Sequence, residues 1–188
     1  MLIFLLINVL TLASKIQPVK LEPRTWTVDN DGPADFHSIQ EAINAANEGD
    51  TIFVYNGTYY ENVFVNKTVT LIGENRETTI INGNRTGNVL YVIENNVTLS
   101  NFTITASQLN LWKACGIYVN SSNNAFLNNI IAENNWGIYF DESHNNNVSS
   151  NLIFNNSIGY YMSMSDNNIF KRNDLTSNGA GFYSAYSA

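Results

Sequence analysis

Residues 116–183 read GIYVNSSNNAFLNNIIAENNWGIYFDESHNNNVSSNLIFNNSIGYYMSMSDNNIFKRNDLTSNGAGFY, and the stretch repeats itself. Gly116-Ile117-Tyr118, Gly137-Ile138-Tyr139, Gly159-Tyr160-Tyr161 and Gly181-Phe182-Tyr183 follow one another at intervals of 21, 22 and 22 residues. Other columns keep the 22-residue step: Asn124, Asn146, Asn168; Asn129, Asn151, Asn173; Asn134, Asn156, Asn178. Between them run apolar columns, Phe126, Val148, Phe170 and Ile131, Ile153, Leu175. Self-similarity at a fixed short period is the signature of a stacked-repeat architecture.

A 22-residue unit is too short for two packed helices, and its apolar residues alternate with period two and form no helical stripe. Each unit therefore divides into three short strands joined by tight Asn- and Gly-rich turns. Stacking such units at the strand spacing of about 4.8 Å gives an all-β parallel β-helix. Asn suits the turns because it tolerates left-handed backbone angles, and stacked Asn side chains can pass hydrogen bonds from coil to coil. That accounts for 32 Asn in 188 residues. The Asn columns are read as scaffold.

Working outward, Thr51–Tyr55, Asn62–Val65, Val69–Ile72, Thr79–Ile81, Val89–Ile93 and Val97–Ile104 read as strands of less regular coils, with turns at Asn56-Gly57, Gly73 and Asn82-Gly83. Phe102 falls one coil before the Asn129 column and is expected to cap it, and Ala106–Cys115 reads as an insertion. Ahead of the strands, Asp35–Asn47 is the one helical segment, with Phe36, Ile39, Ile43 and Ala46 on one face, Asp35 as its cap and Gly49 after its end. An open stack exposes strand edges, so this helix is expected to cover the N-terminal end. One domain is expected over residues 25–188. Its last coil stops after a single strand, which reads as truncation of a longer array or as an end that meets a continuation or another subunit.

Composition excludes several function classes. With 9 Lys and Arg against 16 Asp and Glu the net charge is −7, so no nucleic-acid partner is expected. At 44% apolar with 10 Phe and 10 Tyr the chain can fill a core and is not disordered. The single cysteine, Cys115, can neither close an internal disulfide nor anchor a Cys-rich metal site, and it reads as a packing residue. Residues 2–13 are an apolar run of signal-peptide length, so residues 1–20 are read as a signal peptide or an N-terminal anchor. Asn-x-Ser/Thr acceptors at Asn56, Asn66, Asn84, Asn96, Asn101, Asn120, Asn147 and Asn155 agree with a secreted or cell-surface glycoprotein.

Residues 34–73, ADFHSIQEAINAANEGDTIFVYNGTYYENVFVNKTVTLIG, resemble the opening of the pectin lyase-like right-handed β-helix proteins, pectin methylesterases among them. The Gly-Ile-Tyr and Asn columns resemble the repeats of NosD-like proteins and of surface proteins that carry the carbohydrate-binding and sugar-hydrolysis domain. The resemblance implies a right-handed coil. It implies no single activity, because the superfamily spans lyases, esterases, hydrolases, epimerases, adhesins and a copper-site assembly factor. The catalytic motifs of the pectin methylesterases, polygalacturonases, alginate epimerases and pectate lyases have no match here, so no catalytic residue is carried over. His37 and His144 lie far apart, and Met162 and Met164 lack a Cys or His partner set, so no metal or cofactor is expected; Met162 reads as core.

Two surfaces remain as candidates. Alternation about the apolar Ile117, Val119, Ile138 and Phe140 turns Tyr118, Tyr139, Tyr161 and Tyr183 outward, as a ladder that either stacks against sugar rings or simply stabilises the sheet. In the loop Asp141, Glu142, His144, the imidazole should stack on Asp166 of the next coil, as an acid–base pair, as one side of a metal site, or as solvated turn charges. The expected function is binding of polysaccharide or glycan, or a structural role at the surface with other surface proteins as partners. The alternative is a polysaccharide-active enzyme of the same fold: a lyase, esterase or glycoside hydrolase.

Overall fold

The computed structural model describes residues 22–109 and 114–186. The segment expected to be a leader or anchor lies outside the described residues, as does part of the Ala106–Cys115 insertion. The chain winds as a right-handed parallel β-helix from Thr25 to Ala185, with three parallel sheets. Sheet 1 holds β1 (Thr25–Val28), β2 (Thr51–Val54), β5 (Thr70–Gly73), β8 (Thr98–Ser100), β11 (Ala125–Leu127), β14 (Asn147–Ser149) and β17 (Ile169–Lys171). Sheet 2 holds β3 (Gly57–Tyr59), β6 (Thr79–Asn82), β9 (Thr103–Thr105), β12 (Ile130–Ala132), β15 (Leu152–Phe154) and β18 (Asp174–Thr176). Sheet 3 holds β4 (Val63–Val65), β7 (Leu90–Val92), β10 (Cys115–Val119), β13 (Trp136–Asp141), β16 (Ile158–Ser163) and β19 (Ala180–Ala185).

Register explains the core. Leu71, Leu99, Phe126 and Val148 are aligned in sheet 1, Ile81, Ile104, Ile131 and Ile153 in sheet 2, and Leu90, Ile117, Ile138 and Tyr160 in sheet 3. All of these are buried, so each coil contributes inward apolar side chains at roughly 1.5–3 kcal/mol apiece. Met162 is in this core. Asn101 breaks the expected single strand Val97–Ile104 into β8 and β9 by taking a left-handed φ of 63°, and β3 starts at Gly57, where a turn was expected.

The turns divide the asparagines between two jobs. The residue leaving each of β8, β11, β14 and β17, namely Asn101, Asn128, Ser150 or Arg172, has φ between 54° and 63°. The next residue is the column residue, Phe102, Asn129, Asn151 or Asn173. A column Asn uses its Oδ1 to accept from the backbone N–H of the Asn one coil earlier, as Asn151 does from Asn129 and Asn173 does from Asn151, both at 2.9 Å. Its Nδ2 donates to a backbone carbonyl of the coil before, Asn151 to Phe126 at 2.9 Å. Phe102 ends this column as expected, its N–H donating to Asn129 Oδ1 at 3.0 Å. The ladder thus supplies partners for buried turn amides that would otherwise have none.

The helix, α1 (Ile39–Ala45), is shorter than expected. Ser38 caps it, Oγ accepting from the N–H of Glu41, because Ser38 has the extended backbone that a cap needs and stands directly before the first helical residue. Asp35 is instead held by the N–H and Oγ1 of Thr27. The free N–H groups of Ile39 and Gln40 are taken by the Glu61 carboxylate, each at 2.9 Å. Ile39, Ala42 and Ile43 are buried over the first coil, so the helix closes the N-terminal end as the apolar spacing implied.

Candidate functional site: the aromatic outer face of sheet 3

The outward position of sheet 3 is aromatic in every strand. Phe64, Tyr91, Tyr118, Tyr139, Tyr161 and Tyr183 are directly aligned from β4 to β19. Successive ring centroids lie 6.2, 5.8, 5.4, 5.1 and 5.0 Å apart, an unbroken column of six rings. The tyrosine ladder read from the glycine repeats is its C-terminal part; Phe64 and Tyr91 extend it by two coils.

Exposure is uneven along the column. Tyr139, expected to face solvent, is 1% exposed and must be corrected to a buried ring. It points away from the core, but Trp136 and its two neighbours cover it. The glycine column is the cause. A Cβ on Gly137 would sit 2.5 Å from the Gly159 carbonyl oxygen and one on Gly116 2.8 Å from that of Gly137, so only glycine fits where adjacent coils approach so closely. Alternation breaks there, and Cys115 and Trp136 join Tyr139 in a second apolar cluster outside the coil, with Tyr118, Ile158 and Tyr161 against it. Phe64, Tyr91 and Tyr183 are 41%, 37% and 51% exposed. The rings of Phe64, Tyr91 and Tyr118 are tilted by 54° and 55° to one another and so leave faces partly open.

Polar groups adjoin the column. The Tyr118 hydroxyl donates to Asp141 Oδ2 at 2.9 Å; burial, then that carboxylate, pushes its phenol pKa well up, so it stays a donor. Cys115 is buried with its N–H and Sγ against Asn88 Oδ1, and burial raises its thiol far from the reactive range, as befits a packing residue.

The polar loop assembles only in part. His144 and Asp166 do stack across adjacent coils: His144 Nδ1 accepts from the Asp166 N–H at 3.0 Å and lies 3.8 Å from its Oδ2. Nδ1 is therefore occupied by a backbone donor and the proton of the neutral ring is on Nε2. Asp141 is turned to Tyr118, and Glu142 is an exposed turn residue with φ 50°. Among the described residues no three His, Cys, Asp or Glu side chains converge as a metal site.

The three-sheet coil has the architecture of a pectin lyase-like parallel β-helix. The chain belongs to the NosD family, whose description is periplasmic copper-binding protein and whose match covers residues 43–188. No curated protein matches the chain. Among solved structures it is similar to pectin methylesterase from carrot (18% identity, 91% of this chain, 64% of that one, TM-score 0.62). It is also similar to an alginate lyase from Paenibacillus sp. strain FPU-7 (16%, 87%, 65%, 0.68) and to ORF18 of Geobacillus virus E2 (17%, 87%, 39%, 0.67). The chain spans less than two thirds of the length of each. At such identities the likeness is one of fold.

The described residues do not fit a copper site. His37 lies before α1 with Nδ1 bonded to the Asp29 carbonyl, while His144 is in the turn after β13. Cys115 and Met162 are buried in separate apolar clusters, and Met164 is an exposed turn residue. A copper ion needs several soft or imidazole donors at one point, and these are dispersed.

Proposed function

We propose that the protein is an extracytoplasmic β-helix that binds glycan through the outer face of sheet 3. The observation that carries the reading is the unbroken ring column, with exposed aromatic surface at Phe64, Tyr91 and Tyr183. Aromatic rings with hydroxyl handles match the C–H faces and hydroxyl rims of sugars, and a column along the stack suits an extended polymer. The periplasmic description of the family supports the location, and structural neighbours named for pectin and alginate support a polysaccharide as ligand. Among the described residues no helix is long and apolar enough to cross a membrane.

Glycan-array binding of the purified protein and of a Phe64→Ala/Tyr91→Ala variant tests this reading. Both rings are more than a third exposed, so the variant should melt as the wild type does while binding falls about tenfold or more. Unchanged binding would reject the sheet 3 surface. Release of unsaturated products, reducing ends or methanol from the bound polymer would replace binding with catalysis.

A further inference from the structure

Sheet 2 carries a concavity that the ring column does not use. It is an open groove of about 540 Å³ running along the stack. One row of its floor is Thr58, Ile80, Thr103, Ile130 and Leu152, aligned strand by strand, a run of about 19 Å at the usual strand spacing. Tyr60, 70% exposed, and Phe154 supply aromatic surface. Two arginines tie the edges: Arg76 Nη1 donates to Asn128 Oδ1 at 3.0 Å on the side where the strands begin, and Arg85 Nη1 to the Glu133 carbonyl at 2.7 Å on the side where they end. Each guanidinium has a carboxylate 4.0 Å away, Glu77 and Glu133, and both of those carboxylates line the groove.

Resting on the reading that this protein binds glycan, we propose that the sheet 2 groove is a second glycan site and that its ligand is an uncharged polysaccharide chain lying along the stack. An apolar floor broken by threonine hydroxyls matches a chain of sugar rings, which offers C–H faces and a hydroxyl rim in alternation. Thr58, Thr105 and Glu133 bring hydroxyl and carboxylate groups to hydrogen-bond that rim. Charge selects the class. Glu77 and Glu133 in the lining, on a chain of net charge −7, repel a polyuronate, and the arginines that would attract one are engaged with their own carboxylates and carbonyls.

The Phe64→Ala/Tyr91→Ala protein, which lacks two of the three exposed rings of sheet 3, weakens that surface and leaves the groove intact. Calorimetric titration with neutral hexasaccharides of β-glucan, xylan and mannan, and with hexagalacturonate, is expected to show binding of a neutral chain and none of the uronate. Adding Tyr60→Ala should weaken that binding about tenfold, and Glu133→Gln should admit hexagalacturonate. If wild type binds a neutral chain and the double variant does not, the groove proposal falls and the sheet 3 reading stands. Preference for hexagalacturonate, or affinity unchanged by Tyr60→Ala, also overturns the proposal. If wild type binds no member of the panel, both readings fall.

Discussion

Tyr161 lies flat on Trp136, with ring centroids 4.5 Å apart and planes 4° from parallel. The same indole meets Tyr139 edge-on at 5.3 Å, so one side chain both buries the centre of the ring column and fixes its neighbour. The surface is divided by this contact. Its middle, Tyr118 to Tyr161, is packed into an outer cluster, and its ends, Phe64 and Tyr91 on one side and Tyr183 on the other, present open rings.

Trp136→Ala is therefore expected to destabilise by about 3–5 kcal/mol, the usual cost of emptying a buried aromatic site. It should also uncover Tyr139. Urea denaturation gives the first quantity, and quenching of tyrosine fluorescence by acrylamide the second. A loss below about 1 kcal/mol would mean that the indole is a surface ornament and that Tyr139 is held by other contacts.

The Asn ladder makes a sharper contrast within a single residue type. Asn151 is buried and bonds the Asn129 N–H, the Phe126 carbonyl and Asn173 Oδ1. Asn151→Ala leaves the buried Asn129 N–H without its acceptor, at about 1–3 kcal/mol. Asn147, exposed on β14 four residues earlier, should tolerate Ala within about 0.5 kcal/mol. Equal effects at the two sites would show that the ladder contributes little to stability.

Much of this was legible in the sequence because three successive coils share one length. Gly137, Gly159 and Gly181 lie 22 apart, and the Asn columns follow them. Earlier coils depart from that length: Tyr91 stands 27 residues after Phe64 and Tyr118 another 27 after Tyr91, so the 22-residue step passes over the first two rings of the column. Alternation told which side of β13 Tyr139 faces, but what covers a side chain from outside depends on how Trp136 packs over it, which is a tertiary fact. The sheet 2 groove was invisible for a related reason. Ile80, Ile130 and Leu152 come from coils of unlike length and become one row only once the register is known. The helix start shows the limit of propensity: Asp35 and Ser38 are both capping residues, and the choice rests on Thr27, which captures Asp35.

Tyr160 faces the core beside Phe170, and its hydroxyl is buried with no hydrogen-bond partner. Burial alone pushes its phenol pKa upward, so the group is a neutral hydroxyl in an apolar setting. Tyr160→Phe removes an uncompensated polar atom and should raise stability by about 1 kcal/mol. Loss of that amount in thermal melts would instead reveal an acceptor reached by local rearrangement.

Asp50 joins three segments at the capped end. It accepts from the Arg24 N–H at 2.8 Å, the Trp26 indole at 3.0 Å and the Asn47 N–H at 2.8 Å. Burial works to raise its pKa, but these donors and the nearby Arg24 charge outweigh it and hold the carboxyl below 3.8. A folded pKa below the unfolded one contributes stability that is fully present above about 3.8 and is lost as pH falls from there through the folded value. Asp35, lowered by its Thr27 bonds, acts in the same direction, and Glu61, raised chiefly by burial, in the opposite one. Asp50→Asn isolates the first. The amide keeps one acceptor oxygen but sets an NH₂ against donors that the second carboxylate oxygen had satisfied. The variant should be less stable than wild type at neutral pH, and the gap should narrow as denaturation is repeated at pH values falling from about 3.8 through the lowered pKa of wild-type Asp50. A gap that stays constant across the series would show that the charge on Asp50 plays no part in holding the cap.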